Sequence, residues 1–338
     1  MWLEWMNTLM GGVSRQAHAA TFRPDRFHCL LDELPVHLIP QTPFRAMQSQ
    51  PECELYLTPH CQIRDAEDLP EEFAEHRDLL SGFDLRGTIA WIRNLPGESL
   101  QPFWLGPELA TQIRGLRANE SVPQSVPAKT RSLLAAAGIL VPAHWDETSR
   151  SRREEVIRRA GPMFQTKGYA PIGDLIHPLH IASLRRYYRR QIRSGAIPLG
   201  DGQSPLRYVG YNEPVARFFH QQIAPTISAI AGEPLKPSYV YMASYVSGAD
   251  LRKHVDREQC EFSVTLCLDF TPEPKLATPW PIRLDTASGT TTVYQALGDS
   301  LAYRGTRLPH YRDRLGPAQT STSIFFHYVG QDFQGSLD

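Results

Sequence analysis

Two histidines and one aspartate carry the clearest chemical potential in this 338-residue sequence. His254 and Asp256 stand two positions apart in the segment RKHVDR, and His310 follows 54 residues after Asp256 in the segment RLPHYR. Because side chains two residues apart on an extended chain point to the same side, the imidazole of His254 and the carboxylate of Asp256 converge. Two histidines and one carboxylate can hold one face of a ferrous ion and leave three coordination positions open.

The segments around these residues are typical of β-strands. From residue 237 onward the pattern alternates, as in SYVYMASYV (238–246), EFSVTLCLD (261–269) and STSIFFHYV (321–329). Further short strands are predicted at 281–285, 291–295, 300–304 and 308–313. Short strands at close spacing, joined by Gly and Pro turns, predict a β-sandwich or barrel around the three residues.

Helical patterns precede this β region. The segment HIASLRRYYRRQIRSG (180–195) predicts a helix with five arginines that could grip phosphates. In the favoured alternative it is a solvated helix whose tyrosines and leucine face the core, because the chain is nearly neutral overall. A helix pair is predicted at 213–222 and 226–231, broken by Pro225.

Residues 238–329 resemble the double-stranded β-helix of Fe(II)/2-oxoglutarate-dependent dioxygenases, nearest to the prolyl-hydroxylase-like branch. The matching pieces are Tyr245, Gly248, His254-Val255-Asp256, the strand SVTLCLDF, Gly298-Asp299 and His310. The resemblance implies a jelly-roll core in which His254, Asp256 and His310 bind Fe(II), with 2-oxoglutarate and O2 as cosubstrates. It also implies oxidative decarboxylation to succinate and carbon dioxide, coupled to the oxidation of a substrate.

The partner of the distal 2-oxoglutarate carboxylate departs from the family pattern. Many members place Arg or Lys at the start of the last strand, where this chain has GPAQTSTS (316–323) without a cation. A guanidinium fork suits a buried carboxylate best. Arg312 is the candidate, because it lies two residues past His310 on the same predicted strand face; an exposed strand-end arginine is the alternative. Tyr245, Ser321 and Ser323 could add donors, and the reserve cations are Arg283, Arg304 and Arg314.

The segment LRYVGYNEPVARFFHQQ (206–222) lies just before the barrel, where it could flank the mouth of a pocket and touch substrate. Its candidate residues are Arg207, Tyr208, Tyr211, Asn212 and Glu213. The alternative is a capped helix start, with Asn212 as N-cap and Pro214 in the first turn.

The sequence predicts two domains and an α+β fold class. Residues 1–145 are predicted to form an α+β N-terminal accessory domain. It resembles, faintly, winged-helix peptide-binding modules, but a plain structural domain is the favoured interpretation. Residues 146–338 are predicted to form the dioxygenase domain, with helical support at 146–235 and the double-stranded β-helix (jelly-roll) core at 237–330.

The composition is that of an ordinary globular protein, with 41% hydrophobic and 21% charged residues and a net charge of −1. Such a balance gives no global attraction to nucleic acid or membranes. Five cysteines without a CxxC pair argue against a disulfide framework and favour a reducing compartment. The N-terminal segment MWLEWMNTLM lacks a basic leader region, and no apolar run approaches the roughly 18 residues of a membrane span. A cytoplasmic location is predicted.

The favoured function is a hydroxylase that acts on an amino-acid side chain of a peptide or protein. One alternative is a cupin-like iron enzyme that uses no 2-oxoglutarate, and another is a non-catalytic binding protein on an oxygenase-like scaffold. A nucleic-acid repair oxygenase is favoured only by the arginine-rich helix. The sequence contains neither a Gly-rich phosphate loop nor a GxSxG elbow, which disfavours nucleotide-dependent and α/β-hydrolase chemistry.

Overall fold

The computed structural model describes residues 23–40, 54–65, 67–73, 77–94 and 99–338. The N-terminal segment MWLEWMNTLM lies outside these residues, so its interpretation stays a prediction. Within the described ranges, no helix is both long and apolar enough to cross a membrane. Within the described residues, the cysteines at positions 29, 61, 260 and 267 form no disulfide bond.

The chain divides into two compact units. Among the described residues, the first takes those up to 39, those from 54 to 152, and 182–187; the second takes Pro40, 153–181 and 188–338. The domain boundary predicted at 145/146 and the accessory role predicted for residues 1–145 stay predictions.

The first unit contains two small antiparallel sheets and two short helices. Strands β2, β3 and β4 form one sheet in that order, and β1 pairs with β5 in the other. Three aromatic side chains of β3 and β4, Trp91, Phe103 and Trp104, are fully buried and form part of its core. The elements are β1 (Leu55–Leu57), β2 (Cys61–Asp65), β3 (Thr88–Asn94), β4 (Ser99–Leu105), β5 (Leu140–Pro142), α1 (Pro107–Ile113) and α2 (Ala128–Ala136).

The rest of the chain contributes three longer helices and ten strands. The helices are α3 (Trp145–Lys167), α4 (Pro178–Arg193) and α5 (Pro214–Ala231). The strands are β6 (Tyr169–Ile172), β7 (Arg207–Tyr211), β8 (Leu235–Tyr245), β9 (Leu251–His254), β10 (Phe262–Thr271), β11 (Ile282–Thr286), β12 (Gly289–Val293), β13 (Ser300–Tyr303), β14 (His310–Arg312) and β15 (Thr320–Gly330).

These ten strands form two antiparallel sheets. A six-stranded sheet has the order β6-β13-β10-β15-β8-β7, and a four-stranded sheet has the order β12-β11-β14-β9. From β8 onward the chain alternates between the sheets, and only the β11–β12 hairpin stays within one of them. This alternation is consistent with a jelly roll.

The two sheets share buried apolar contacts. Ile282 and Leu284 of the four-stranded sheet pack with Tyr169, Leu301 and Tyr303 of the six-stranded sheet. Alternation along the strands directs these side chains inward, because neighbouring residues on a strand face opposite sides. The predicted α+β fold class is confirmed, and the sheets are antiparallel.

Helix α5 runs through Pro225 without a break. The predicted division at this proline is therefore wrong. Proline removes one backbone donor and costs about 3 kcal/mol in a helix interior, but each fully buried large apolar side chain contributes about 1.5–3 kcal/mol. Large apolar side chains are buried on both sides of the proline: Phe218, Phe219, Ile223, Ile227 and Ile230.

His220 of α5 is buried as a neutral side chain. Its Nε2–H donates to the backbone carbonyl of His327 at 2.8 Å, and its ring lies 4.6 Å from the Tyr328 ring. Burial lowers the pKa of His220 from 6.5 to about 3, because an enclosed imidazolium would lose its hydration. The unfolded chain therefore takes up this proton at a higher pH than the folded chain.

We expect His220 to make the fold sensitive to acid. Its contribution to stability is complete above pH 6.5 and is lost as the pH falls from 6.5 towards about 3. The slope reaches about 1.4 kcal/mol per pH unit. The variant His220→Gln keeps an N–H donor but does not titrate, so it should reduce the slope measured by urea denaturation between about pH 7 and pH 4.5. The remaining slope includes His327, whose pKa burial also lowers, to about 4.

His144→Gln serves as the control for this prediction, because the His144 side chain is 80% exposed. It should retain the pH dependence of the wild type. If His220→Gln retained it as well, another group would have to cause the loss of stability in acid.

Candidate metal centre

His254 and His310 are brought together by the pairing of two short strands. His254 ends β9 and His310 begins β14, and the two residues are direct partners in the antiparallel register. Directly opposed residues of an antiparallel pair extend from the same face of the sheet. Their ring centroids accordingly lie 4.3 Å apart. Strand β9 lies at the edge of its sheet and has β14 as its neighbour.

Asp256 completes the group from the segment that follows β9. Its Oδ1 atom lies 3.5 Å from Nε2 of His254 and 3.5 Å from Nε2 of His310. One ligand atom from each of the three residues falls within 4.8 Å of the other two. The predicted extended geometry ends at His254, and the backbone N–H of Asp256 instead donates to the carbonyl of Gly305 at 2.9 Å.

Backbone carbonyls set the orientation of both imidazoles. Nδ1 of His254 lies 2.8 Å from the carbonyl of Arg252, and Nδ1 of His310 lies 3.0 Å from the carbonyl of Leu308. A carbonyl can only accept, so each Nδ1 carries the proton in the neutral ring. Each Nε2 then presents its lone pair towards Asp256, as a histidine that binds a metal requires.

The carboxylate of Asp256 is held from behind. Ser263 donates its hydroxyl to Oδ2 at 2.8 Å, while Oδ1 faces the two imidazoles. Gly305 is packed so closely that a Cβ atom there would collide with Oδ2 of Asp256 and with the Ser263 hydroxyl. A glycine is therefore required at this position.

The charges of the three residues support each other. Burial alone would raise the pKa of Asp256, but His254 and His310 can donate from Nε2 to its carboxylate when their rings are protonated, and this holds that pKa well below its ordinary value. The same hydrogen bond raises the pKa of His254. The group thus holds a negative carboxylate beside two imidazoles, which is the charge pattern of a divalent metal site.

The three residues border a cavity of about 930 Å³, which is large enough for a small ligand and part of a second one. Tyr211 of β7 and Tyr239, Tyr241 and Tyr245 of β8 line it together with Arg252 and Arg257. Arg257 lies 4.4 Å from the Tyr239 ring centre and donates to the hydroxyls of Tyr239 and Tyr211. The cavity therefore combines aromatic surfaces with positive charge.

Arg312 shares the buried side of β14 with His310. Its guanidinium donates to the carbonyl of Trp280 and to the side-chain oxygen of Gln295, and it lies 4.8 Å from the centre of the Trp280 ring. Burial lowers the pKa of Arg312. Its partners in the described part of the chain are neutral, which leaves a buried positive charge without a carboxylate.

The other residues proposed from sequence to bind 2-oxoglutarate lie on the six-stranded sheet. Tyr245 lines the cavity and contacts the Trp280 ring, with the ring centres 5.1 Å apart. Ser321 is its register partner on β15, and Ser323 follows two residues later. Both serines are buried, but neither they nor Arg312 are among the residues that line the cavity.

None of the three reserve arginines lines the cavity either, within the described ranges. Arg283 pairs with the exposed carboxylate of Asp313, and Arg314 donates to the carbonyl of Gly248. Arg304 lies over the Phe164 and Phe262 rings.

Arg207 is a buried cation, which the sequence analysis named among several residues that could flank the pocket mouth. It lines the cavity, binds Asp201 at 2.6 Å and donates to the hydroxyl of Tyr245 at 3.4 Å. Burial would raise the pKa of Asp201, but hydrogen bonds with Arg207 and Tyr241 lower it to about 2. Arg207 and Asp201 therefore form a neutral pair, in contrast to Arg312.

The helix after β7 begins one residue later than predicted. Glu213, not Asn212, caps α5, since its carboxylate accepts from the backbone N–H groups of Val215 and Ala216. Asn212 adopts a left-handed backbone conformation and bonds to Val240 of β8. Of the residues that the sequence singled out in this segment, Arg207 and Tyr211 line the cavity.

Several arginines of helix α4 form hydrogen bonds within the protein. Arg185 and Arg186 donate to backbone carbonyls, and Arg189 forms hydrogen bonds of 2.6 and 2.8 Å with the Asp269 carboxylate. Tyr187 and Tyr188 are buried. These contacts match the alternative in which the tyrosines of the helix face the core.

Cys260 and His327 are two residues of the cavity that no sequence motif singles out. In the structure, Cys260 Sγ lies 3.0 Å from the Tyr239 hydroxyl, and Nδ1 of His327 lies 3.0 Å from the Ser263 hydroxyl. Both residues border the cavity beside Asp256. No local pattern could reveal this grouping, because three separate strands and a short helical turn bring it together.

No protein-family profile and no curated protein matches the sequence. Among solved structures, the epimerase SnoN from nogalamycin biosynthesis, described as non-heme and alpha-ketoglutarate dependent, is 13% identical with a TM-score of 0.43; the match covers 53% of this chain and 81% of SnoN. AviO1 from Streptomyces viridochromogenes is 18% identical with a TM-score of 0.42, covering 54% and 97%. A Pseudomonas putida prolyl-4-hydroxylase is 16% identical with a TM-score of 0.43, covering 52% and 100%. Similarities of this size do not establish a shared family or reaction.

We expect Ser263→Ala to weaken the binding of a divalent metal by about tenfold to a hundredfold, because the carboxylate of Asp256 loses the hydrogen bond that orients it. Calorimetric titration with Mn2+ measures the change. Ser300→Ala is the matched control, since Ser300 is a buried serine of β13 whose hydroxyl has no hydrogen-bond partner in the described structure. Equal affinities for wild type and Ser263→Ala would show that Ser263 does not hold the carboxylate.

Proposed function

We propose that this protein is an Fe(II)/2-oxoglutarate-dependent oxygenase, with His254, Asp256 and His310 as the iron ligands. The observation that carries the proposal is the convergence of two imidazole Nε2 atoms on one carboxylate oxygen, each at 3.5 Å. Two histidines and one carboxylate on one face, with open positions opposite, are the ligand set of non-heme ferrous oxygenases.

The residues fit a resident ferrous ion. The carbonyls behind His254 and His310 fix the tautomer that leaves Nε2 free, and Ser263 fixes the rotation of the carboxylate. Bound iron together with 2-oxoglutarate and O2 would supply the oxidising power of the reaction. The protein orients the ligands and provides the adjoining cavity for substrate.

Arg312 supports the use of an anionic cosubstrate. A buried cation without a carboxylate partner is costly, and a ligand that brings a carboxylate compensates that cost. Arg312 can form the fork geometry that a carboxylate prefers. Tyr245, Ser321 and Ser323 are the proposed additional donors, because Tyr245 and Ser321 are register partners on neighbouring strands and Tyr245 contacts the same Trp280 ring as Arg312.

The proposed substrate is an amino-acid side chain of a peptide or protein, and the proposed reaction is its hydroxylation, as in the prolyl-hydroxylase-like branch. Support comes from the size of the cavity and from its tyrosine and arginine lining, which suits peptide backbone and polar side chains.

Anaerobic addition of Fe(II) and 2-oxoglutarate should give the weak visible charge-transfer band of the chelate, and admission of O2 should release succinate. We expect His254→Ala and Asp256→Ala to lose both signals, because each removes one of three iron ligands. The control His144→Ala changes an exposed histidine of the first unit and should keep both. A wild-type protein that binds iron but forms no band would favour a cupin-like site or a non-catalytic scaffold.

Replacement of Arg312 by Gln should raise the concentration of 2-oxoglutarate needed for half-maximal succinate release by tenfold or more, since a charged hydrogen bond contributes about 1.5–3 kcal/mol. Iron affinity should stay unchanged. Arg207→Gln is the informative comparison, because Arg207 already pairs with Asp201. A rise in the 2-oxoglutarate requirement for Arg207→Gln alone would transfer the role to Arg207.

A further inference from the structure

A second set of metal-ligand side chains shares Asp256. Asp256, Cys260 and His327 each offer one ligand atom, and these three atoms lie within 4.8 Å of one another. Cys260 is 2% exposed and His327 is 6% exposed, yet all three residues border the cavity. An ion that enters the cavity can therefore reach this set.

The Ser263 hydroxyl shows where two members of the set, Asp256 and His327, converge. This single oxygen lies 2.8 Å from Oδ2 of Asp256 and 3.0 Å from Nδ1 of His327, and it lies 3.3 Å from the backbone carbonyl of Cys260. The carboxylate oxygen involved is Oδ2, whereas Oδ1 faces His254 and His310. Asp256 thus presents one oxygen to each set.

The side-chain chemistry of His327 and Cys260 matches that of metal ligands. A neutral imidazole binds through a ring lone pair, and a cysteine binds as the thiolate. A thiophilic ion that binds there forms a metal–sulfur bond, and the thiol proton leaves to solvent.

We propose that Asp256, Cys260 and His327 form a second cation site, selective for thiophilic divalent ions such as Zn2+ and Co2+. Thiolate, imidazole and carboxylate are the ligands that such ions take in proteins. The set formed by His254, Asp256 and His310 contains no sulfur and suits a ferrous ion better. Because both sets use Asp256, an ion at the second site competes for the carboxylate that the first set needs.

Titration of the full-length protein with Co2+ under anaerobic conditions tests this site. Coordination by sulfur gives an intense thiolate-to-cobalt charge-transfer band in the near ultraviolet, which imidazole and carboxylate ligands do not give. We expect the band in wild type, its loss in Cys260→Ser and Cys260→Ala, and its weakening in His327→Gln. Excess Zn2+ should remove the band from the wild-type complex.

Cys267→Ser is the matched control, because Cys267 is another buried thiol, on β10, outside the ligand set. It should keep the band, and circular dichroism shows whether each variant is folded. A wild-type protein without the band, or a Cys260→Ser variant that retains it, would overturn the proposal.

The result is independent of the proposed oxygenase function. The visible band of Fe(II) with 2-oxoglutarate in the wild-type protein reports on the first set, which contains no sulfur ligand, whereas the cobalt band reports on the second. Loss of the cobalt band alone would reject only the second site. Loss of the iron band in wild type would reject only the oxygenase.

Discussion

The pairing of β9 with β14 is the constraint on which the candidate centre depends. It places His254 directly opposite His310 in a short stretch of paired residues, although His310 follows His254 by 56 positions in the sequence (310 − 254). A shift of this register by one residue would turn one histidine to the other face of the sheet and separate the two imidazoles. The other contacts at the centre, from backbone carbonyls and from Ser263, orient side chains that this pairing brings together.

Near that pairing, some buried charges are neutralised by an opposite charge and others are not. Arg207 and Asp201 neutralise each other at the cavity wall, whereas Arg312 is surrounded by neutral oxygens and an indole ring. Asp256 carries a negative charge among two imidazoles and a hydroxyl. The interior between the sheets thus keeps one positive group without a carboxylate partner, at Arg312, and one negative group shared by two imidazoles, at Asp256.

The sequence predicts the β region and the gathering of His254 with Asp256 because both are local properties, one of period-two alternation and the other of two-residue spacing. It also indicates His310, but only by resemblance, since no local rule links residues so far apart. The sequence does not predict three other features. These are the continuity of α5 through Pro225, the ion pair of Arg207 with Asp201, and the grouping of Cys260 with His327. Each of these depends on tertiary packing, in which buried side chains or partners from other strands override the local preference.

The position of β9 at the edge of its sheet has a consequence for the dynamics of the domain. An edge strand with a single neighbour opens more readily than a central one, and here it carries one of the three clustered donors. An ion bound by His254 and His310 would bridge this strand to the one beside it and hold it closed, by the general rule that a ligand stabilises the state it binds. Metal binding would then slow amide hydrogen exchange along this edge strand, so that the centre would stabilise the fold locally as well as bind the metal.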